Sequence, residues 1–256
     1  MVIRAVLFDL GNTLIGYYRL SEFPPILQRC VRCAFAAVGV SLSATEAAQV
    51  FEHAMRLNRE REDLVVRPLE SRLRELLHGH ARPDDDSVGD ACRAFLEPIF
   101  QCATPNIEAP YVLAELRRRG VKTGIVSNTP WGSPAAAWRE ELARHGLLDK
   151  VDAAVFCVDV GWRKPHPAPF HRALEQLSVR GRDAVFIGDD ARWDVVGAEA
   201  AGVRPILLSS SGATGDTPYM VIKRLSDVLE LIQVVPDALR SDPRGVAPDS
   251  GSEDDA

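Results

Sequence analysis

The chain has 256 residues, is 46% hydrophobic and 26% charged, and carries a formal net charge of -6. Those values exclude a wholly disordered chain, a collagen and a coiled coil. The acidic balance argues against nucleic acid or an anionic membrane surface as a partner, and no segment reaches the ~20 apolar residues that span a bilayer.

Residues 2–8 are apolar except for Arg4 and end at Asp9-Leu10-Gly11-Asn12. This predicts a buried strand running into a turn. Arg4 and Asp9 interrupt the apolar run and no small-residue cleavage site follows, so the segment reads as a strand and not a signal peptide. The expected location is the cytoplasm. The five cysteines, Cys30, Cys33, Cys92, Cys102 and Cys157, are an odd number in a chain too long to need staples. Free thiols in a reducing compartment are expected. Cys30-Val31-Arg32-Cys33 has no second pair or nearby histidines and reads as two buried helical cysteines, not a zinc site.

From about 17 to 104 there is no strand pattern. Apolar residues recur at helical spacing over 27–38, 44–58, 69–78 and 88–100, punctuated by Pro24-Pro25, Gly39, Pro68, Pro83 and Pro105. An all-helical block inserted directly after the first strand predicts a second, smaller domain. Its two linkers leave and return at the carboxyl end of strand one, where open α/β sheets bind ligands.

Strands and helices then alternate. Strands are predicted at 121–126, 153–158, 184–187 and 205–208, and helices at 111–119, 134–145, 167–177 and 194–201. Gly120, Gly146 and Gly202 are natural helix stops. The pattern predicts an α/β fold with a doubly wound parallel sheet and an inserted all-helical cap. The expected division is a core of residues 1–15 and 107–235, a cap of 16–106 and a disordered tail of 236–256, rich in Pro, Gly, Ser and Asp.

The strand ends deliver polar groups to one edge: Asp9, then Ser127, then Asp189 with Asp190 and Asp194 just beyond. Lys164 lies between them in Gly161-Trp162-Arg163-Lys164-Pro165-His166-Pro167. Several carboxylates would repel one another unless a cation sat among them, and an oxygen-rich set of this kind suits Mg²⁺. With an ammonium and a hydroxyl beside an anionic nucleophile, the set reads as a phosphoryl-transfer site.

These motifs resemble the haloacid dehalogenase superfamily with a helical cap of the C1 type. Four appear in order: Phe8-Asp9-Leu10-Gly11-Asn12-Thr13-Leu14, Ile125-Val126-Ser127-Asn128, residues 161–170 around Lys164-Pro165, and Ile187-Gly188-Asp189-Asp190-Ala191-Arg192-Trp193-Asp194. The resemblance covers about 2–235. It implies that Asp9 is the nucleophile and forms an aspartyl phosphate. It implies that Ser127 binds a phosphoryl oxygen, and that Lys164 neutralises Asp9 and the transferring group. Asp9, the Gly11 carbonyl and Asp189 would bind Mg²⁺, with Asp190 or Asp194 completing the shell. Asn12, Thr13 and Asn128 would contact or shape the phosphate loop. The implied substrate is a small phosphorylated metabolite, and the implied assembly a monomer or homodimer.

One departure stands out. Phosphatases of this superfamily usually place a second aspartate, the general acid, where this chain has Gly11. General acid–base help is typically worth ~10²–10⁴-fold. Three outcomes remain open: a leaving group that needs no acid, a substitute such as Tyr17, Tyr18 or a cap residue, or weak turnover. Cap lysines are absent, since the lysines are Lys122, Lys150, Lys164 and Lys223, which disfavours a Schiff-base mechanism. A metal-independent 2-haloacid dehalogenase, a phosphotransferase and a catalytically weak phosphate-binding module stand as alternatives. Trp131 either lines the cleft or packs on the cap. The mixed arginines and acids of 52–75 read as a solvated helical face, from which one or two arginines could reach a second anionic group of the substrate.

Overall fold

The computed structural model describes residues 2–57, 63–81, 84–211 and 219–232. The predicted tail lies outside them. Five predicted strands form as β1 (Ala5–Phe8), β4 (Lys122–Ser127), β5 (Ala153–Phe156), β6 (Ala184–Gly188) and β7 (Arg204–Leu208). A sixth, β8 (Met220–Ile222), was not expected. The order is β5-β4-β1-β6-β7-β8 and every pairing is parallel. The chain builds outward from β1 on one side and then on the other, so β1 stands at the topological switch point. Phe8 is in register with Ile125 and with Ile187, which brings the carboxyl ends of β1, β4 and β6 together.

Alternate residues of β1 face opposite cores, as the two-residue strand period requires. Ala5 and Leu7 pack with Phe170, Ala173, Leu177 and Phe186 on one face. Val6 and Phe8 join the cluster on the other face, which continues without a break into the helical insert.

The insert is α1 (Phe23–Ala37), α2 (Ala44–Leu57), α3 (Leu69–Leu77) and α4 (Asp85–Phe100). Two start earlier than the periodicity predicted. Helix α1 takes Pro24 and Pro25 into its first turn, where a missing N–H costs nothing. Helix α4 starts at Asp85 because Asp84 accepts a hydrogen bond from the Ser87 N–H at 2.8 Å. Helices α1 and α4 carry the fully buried Phe35 and Phe95.

The two linkers run side by side. Short strands β2 (Ile15–Gly16) and β3 (Thr104–Pro105) pair antiparallel, Ile15 opposite Pro105. Asn106 ties them to the first motif, donating from Nδ2 to the Thr13 carbonyl at 3.0 Å and from N–H to that of Leu14 at 2.9 Å.

Helices α5 (Ala109–Arg118), α6 (Ala135–Arg144) and α7 (Ala168–Leu177) follow as predicted, within one or two residues. The helix predicted at 194–201 is instead a π-turn (Ala191–Val195) leading into α8 (Val196–Ala200). All five cysteines are free. Cys30 is buried, which pushes its thiol up to about 12, whereas Cys33 is partly exposed. Among the described residues no helix is long and apolar enough to cross a membrane.

Phe95 fills the insert core beside Trp131 of the α/β core, with ring centroids 5.5 Å apart. Phe95→Ala is expected to lower the free energy of unfolding by about 3–5 kcal/mol, measured by urea denaturation.

Candidate active site

Asp9 continues β1 by one residue, its N–H donating to the Ile187 carbonyl at 2.8 Å. Its carboxylate is nearly closed to solvent. Lys164 Nζ donates to Asp9 Oδ1 and to Asp194 Oδ1, each at 2.6 Å, and Lys164 is 2% exposed. The Phe186 ring lies 5.2 Å from the ammonium. Asp189 completes the group: oxygens of Asp9, Asp189 and Asp194 all lie within 4.8 Å of one another.

The route by which Asp194 arrives depends on two local features. The π-turn adds a residue before α8, and such turns recur at functional sites. Gly188 makes room, since a Cβ there would stand 2.2 Å from Asp194 Oδ2. That oxygen accepts the Asp190 N–H at 3.1 Å.

Charge is not balanced in this cluster, where three carboxylates face one ammonium. Burial, then Asp9 and Asp194, push Asp189 up to about 7. Burial pushes Asp194 up to about 6, and Asp9 adds to the rise while Lys164 opposes it. Burial works against the charge on Lys164, but Asp194 and Asp9 outweigh it and its pKa is raised. The all-oxygen donor set with surplus negative charge is what a hard divalent cation needs, so these residues fit Mg²⁺.

The other expected residues divide. Ser127 ends β4 and is buried, its Oγ donating at 3.4 Å to the Asn128 carbonyl. Thr13 is 1% exposed, and its Oγ1 has no hydrogen-bond partner among the described residues. Asn12 is exposed and turns the chain with φ 55. Gly11 lies beside the nucleophile, where a Cβ would meet only Asp9 Oδ2, at 4.0 Å.

Two residues do something other than expected. Asp190 is turned out of the cluster, accepting from the Arg192 N–H at 2.9 Å and pairing with its guanidinium at 2.6 Å. Its carboxylate caps the π-turn; although burial opposes ionisation, Arg192 holds its pKa below the usual value. Asn128 spends its side chain on the backbone of Lys164. The Lys164 N–H donates to Asn128 Oδ1 at 2.8 Å, and Asn128 Nδ2 donates to the Lys164 carbonyl at 3.2 Å. This reciprocal pair has no sequence signal, because the two residues are 36 apart.

Trp131 packs on the insert and does not line an open cleft: it is 1% exposed, against Phe95 and the Arg72 guanidinium, 5.2 Å from its ring. Arg72 is the buried arginine of the mixed segment, whereas Arg56 and Arg74 are exposed and Arg59 and Arg61 lie outside the described residues. The Tyr17 hydroxyl is buried without a hydrogen-bond partner among the described residues, its ring edge-on to Trp138. Burial, then Glu141, raise its pKa. Tyr18 stacks on Phe23. His166 stacks on Trp162, and its Nδ1 accepts the Ala168 N–H, a loop role.

Comparison with known proteins gives the family and the fold. A family model described as haloacid dehalogenase-like hydrolase matches residues 3–202. A phosphoglycolate phosphatase from Pectobacterium atrosepticum is 30% identical over 241 residues, covering 90% of this chain and 92% of that protein. A ribulose-1,5-bisphosphate 5-phosphatase from Halopiger xanaduensis is 31% identical, covering 81% and 85%. Among solved structures, a phosphatase from Thermococcus onnurineus superposes with TM-score 0.63 at 23% identity, covering 91% of this chain and 100% of that one. A 2-haloacid dehalogenase from Pseudomonas syringae superposes with TM-score 0.64 at 22% identity, covering 90% and 98%. At that identity the last two establish the fold alone.

Two outcomes follow for the metal-free protein. Lys164→Met strands two buried carboxylates and is expected to cost about 3–5 kcal/mol at pH 8. The loss should shrink as pH falls from 8 toward 6, because without Lys164 to oppose the rise the Asp194 carboxyl takes up a proton at a higher pH than in the native chain; urea titrations at pH 8 and pH 6 read it. Asp189→Asn removes a repelling charge whose folded pKa is raised, so stability that the native chain loses as pH rises from 4 to 7 is retained. Asp189 is partly open to water, which screens the repulsion. The expected gain at pH 8 is about 1 kcal/mol, or roughly 2–4 °C in Tm, read by thermal unfolding in EDTA.

Proposed function

The chain belongs to the haloacid dehalogenase-like hydrolase family, and we propose that it is a Mg²⁺-dependent phosphatase of a small phosphorylated metabolite. The observation that carries this reading is Lys164 held between Asp9 and Asp194, with Asp189 beside them. The phosphatase names of the similar proteins support it.

Asp9 is the nucleophile. Lys164 occupies Oδ1, so Oδ2 attacks phosphorus. The P–O bond to the leaving group breaks as the Asp9–phosphorus bond forms, and the departing oxygen takes the bond electrons. Water then cleaves the aspartyl phosphate, returning the Asp9 carboxylate and releasing inorganic phosphate. Asp9, Asp189 and Asp194, with the Gly11 carbonyl, would hold Mg²⁺, which supplies charge neutralisation at the phosphoryl oxygens. Lys164 offsets charge on Asp9 and the transferring group, and Ser127 and Thr13 offer buried hydroxyls to phosphoryl oxygens. The helical insert acts as a cap that excludes water and selects the substrate. The five free cysteines support a reducing, cytoplasmic location.

Gly11 shapes the substrate range. Without a carboxylic acid at that position, esters with stable leaving groups, such as acyl, anomeric or aryl phosphates, are favoured over simple alkyl esters.

Phosphate release from a panel of such esters, with Mg²⁺ and with EDTA, tests the reading. Turnover should require Mg²⁺ and fall by about 10³-fold or more in Asp9→Asn. Turnover that survives EDTA, or Asp9→Asn, would overturn it. Gly11→Asp, for which the backbone has room, is expected to raise alkyl-ester hydrolysis by roughly 10²-fold relative to aryl esters.

A further inference from the structure

Residues 64–67 of the insert, between α2 and α3, reach across to the loop that carries the lysine. Val65 and Trp162 form an antiparallel bridge. The Val66 N–H donates to the Gly161 carbonyl at 3.0 Å, and the Arg163 N–H donates to the Leu64 carbonyl at 2.9 Å. Asp63 gives the segment its shape. Its Oδ1 accepts from the Val65 N–H at 3.1 Å and Arg67 Nη1 at 3.0 Å, and its Oδ2 accepts from Arg67 Nη2 at 2.6 Å. The core presses on the same segment at Gly132, where φ is 61 and a Cβ would stand 2.1 Å from the Arg67 carbonyl oxygen.

The loop is held from the core side as well. Asn128 grips the Lys164 backbone through two hydrogen bonds, and Arg163 Nη1 donates to the Thr129 carbonyl at 2.9 Å. Arg163 is therefore bound to the insert through its amide and to the core through its guanidinium. The next residue is Lys164.

We infer that residues 64–67 are a positioning strand for Lys164, whose ammonium meets Asp9 and Asp194 in the observed geometry because the insert is paired to the loop in front of it. The insert then does more than shield the site: its docking sets a charged group of the reaction. A loop clamped only by the core would keep one side of Arg163 loose, and a displacement of about 1 Å at a reacting group can cost 10²-fold. The inference rests on the reading of Lys164 as a group of the phosphatase reaction.

Val66→Pro deletes the amide that Gly161 accepts from, and Val66→Ala keeps it. Amide hydrogen exchange and steady-state kinetics on the best ester of the panel are read for both. The Lys164 amide is the reporter, because its own bond goes to Asn128 in the core, so a strand that merely attached the insert would not move it. In Val66→Pro, exchange at Lys164 should rise about 10-fold or more, with native protection in Val66→Ala. The value of kcat should fall about 10-fold or more while KM stays within about twofold. Unchanged protection of Lys164, faster exchange with unchanged kcat, or a rise in KM alone would each overturn the inference. If Val66→Pro does not fold, Asp63→Ala, which loosens the segment by freeing the Val65 N–H and Arg67 and spares the backbone donors that pair it with the loop, is read in the same way. Absence of turnover in the native chain would overturn the phosphatase reading alone, and exchange at Lys164 would still decide this one.

Discussion

The Lys164 ammonium meets Asp9 and Asp194 at 2.6 Å across 155 and 30 residues of chain, almost out of reach of water. Burying an unpaired charge costs several kcal/mol, and burying the group with two partners of opposite sign removes most of that cost. The rest of the molecule can be read as the means of making this contact. The parallel sheet sets Asp9 between the ends of β4 and β6. The π-turn and Gly188 turn Asp194 back toward the lysine. Asn128 holds the lysine backbone from the neighbouring strand end. A third carboxylate, Asp189, gives the cluster surplus negative charge, which pushes Asp189 and Asp194 toward their protonated forms and suits the cluster to a divalent cation.

The insert is not a separate globule resting on this edge. Its core and the outer face of the sheet form one continuous apolar cluster. Trp131 is the joint between them. It stands in the left-handed region, φ 57, a conformation that costs a bulky residue of order 1 kcal/mol or more. Its burial against Phe95 and Arg72 offsets that strain.

Much of this was legible in the chain. Continuous apolar runs ending in Asp9, Ser127 and Asp189 predicted the sheet and its carboxyl edge, because strand period and strand ends are local signals. The helical insert was legible for the same reason. What was not legible depends on contacts between distant residues. The two-residue strands β2 and β3 have no periodicity of their own, and they form because the linkers meet. Asp190 and Asp194 look alike in sequence, and only the π-turn separates them, one turned to Arg192 and the other to Lys164. The sequence offered the Asn128 backbone N–H to phosphate and left its side chain open; the side-chain amide matches the backbone of a residue 36 positions away, which no local signal could show.

The side-by-side linkers have a consequence for how such a chain can change over evolutionary time. Paired strands stand about 4.8 Å apart, so the insert enters and leaves the core through a gap no wider than a hairpin. Segments whose ends nearly touch can be lengthened, replaced or lost with little effect on the host that carries them. The sheet could therefore keep one reactive edge while successive helical inserts were tried on it. The shared apolar layer and the 64–67 pairing limit that freedom, since a new insert would also have to cover Trp131 and meet Gly161.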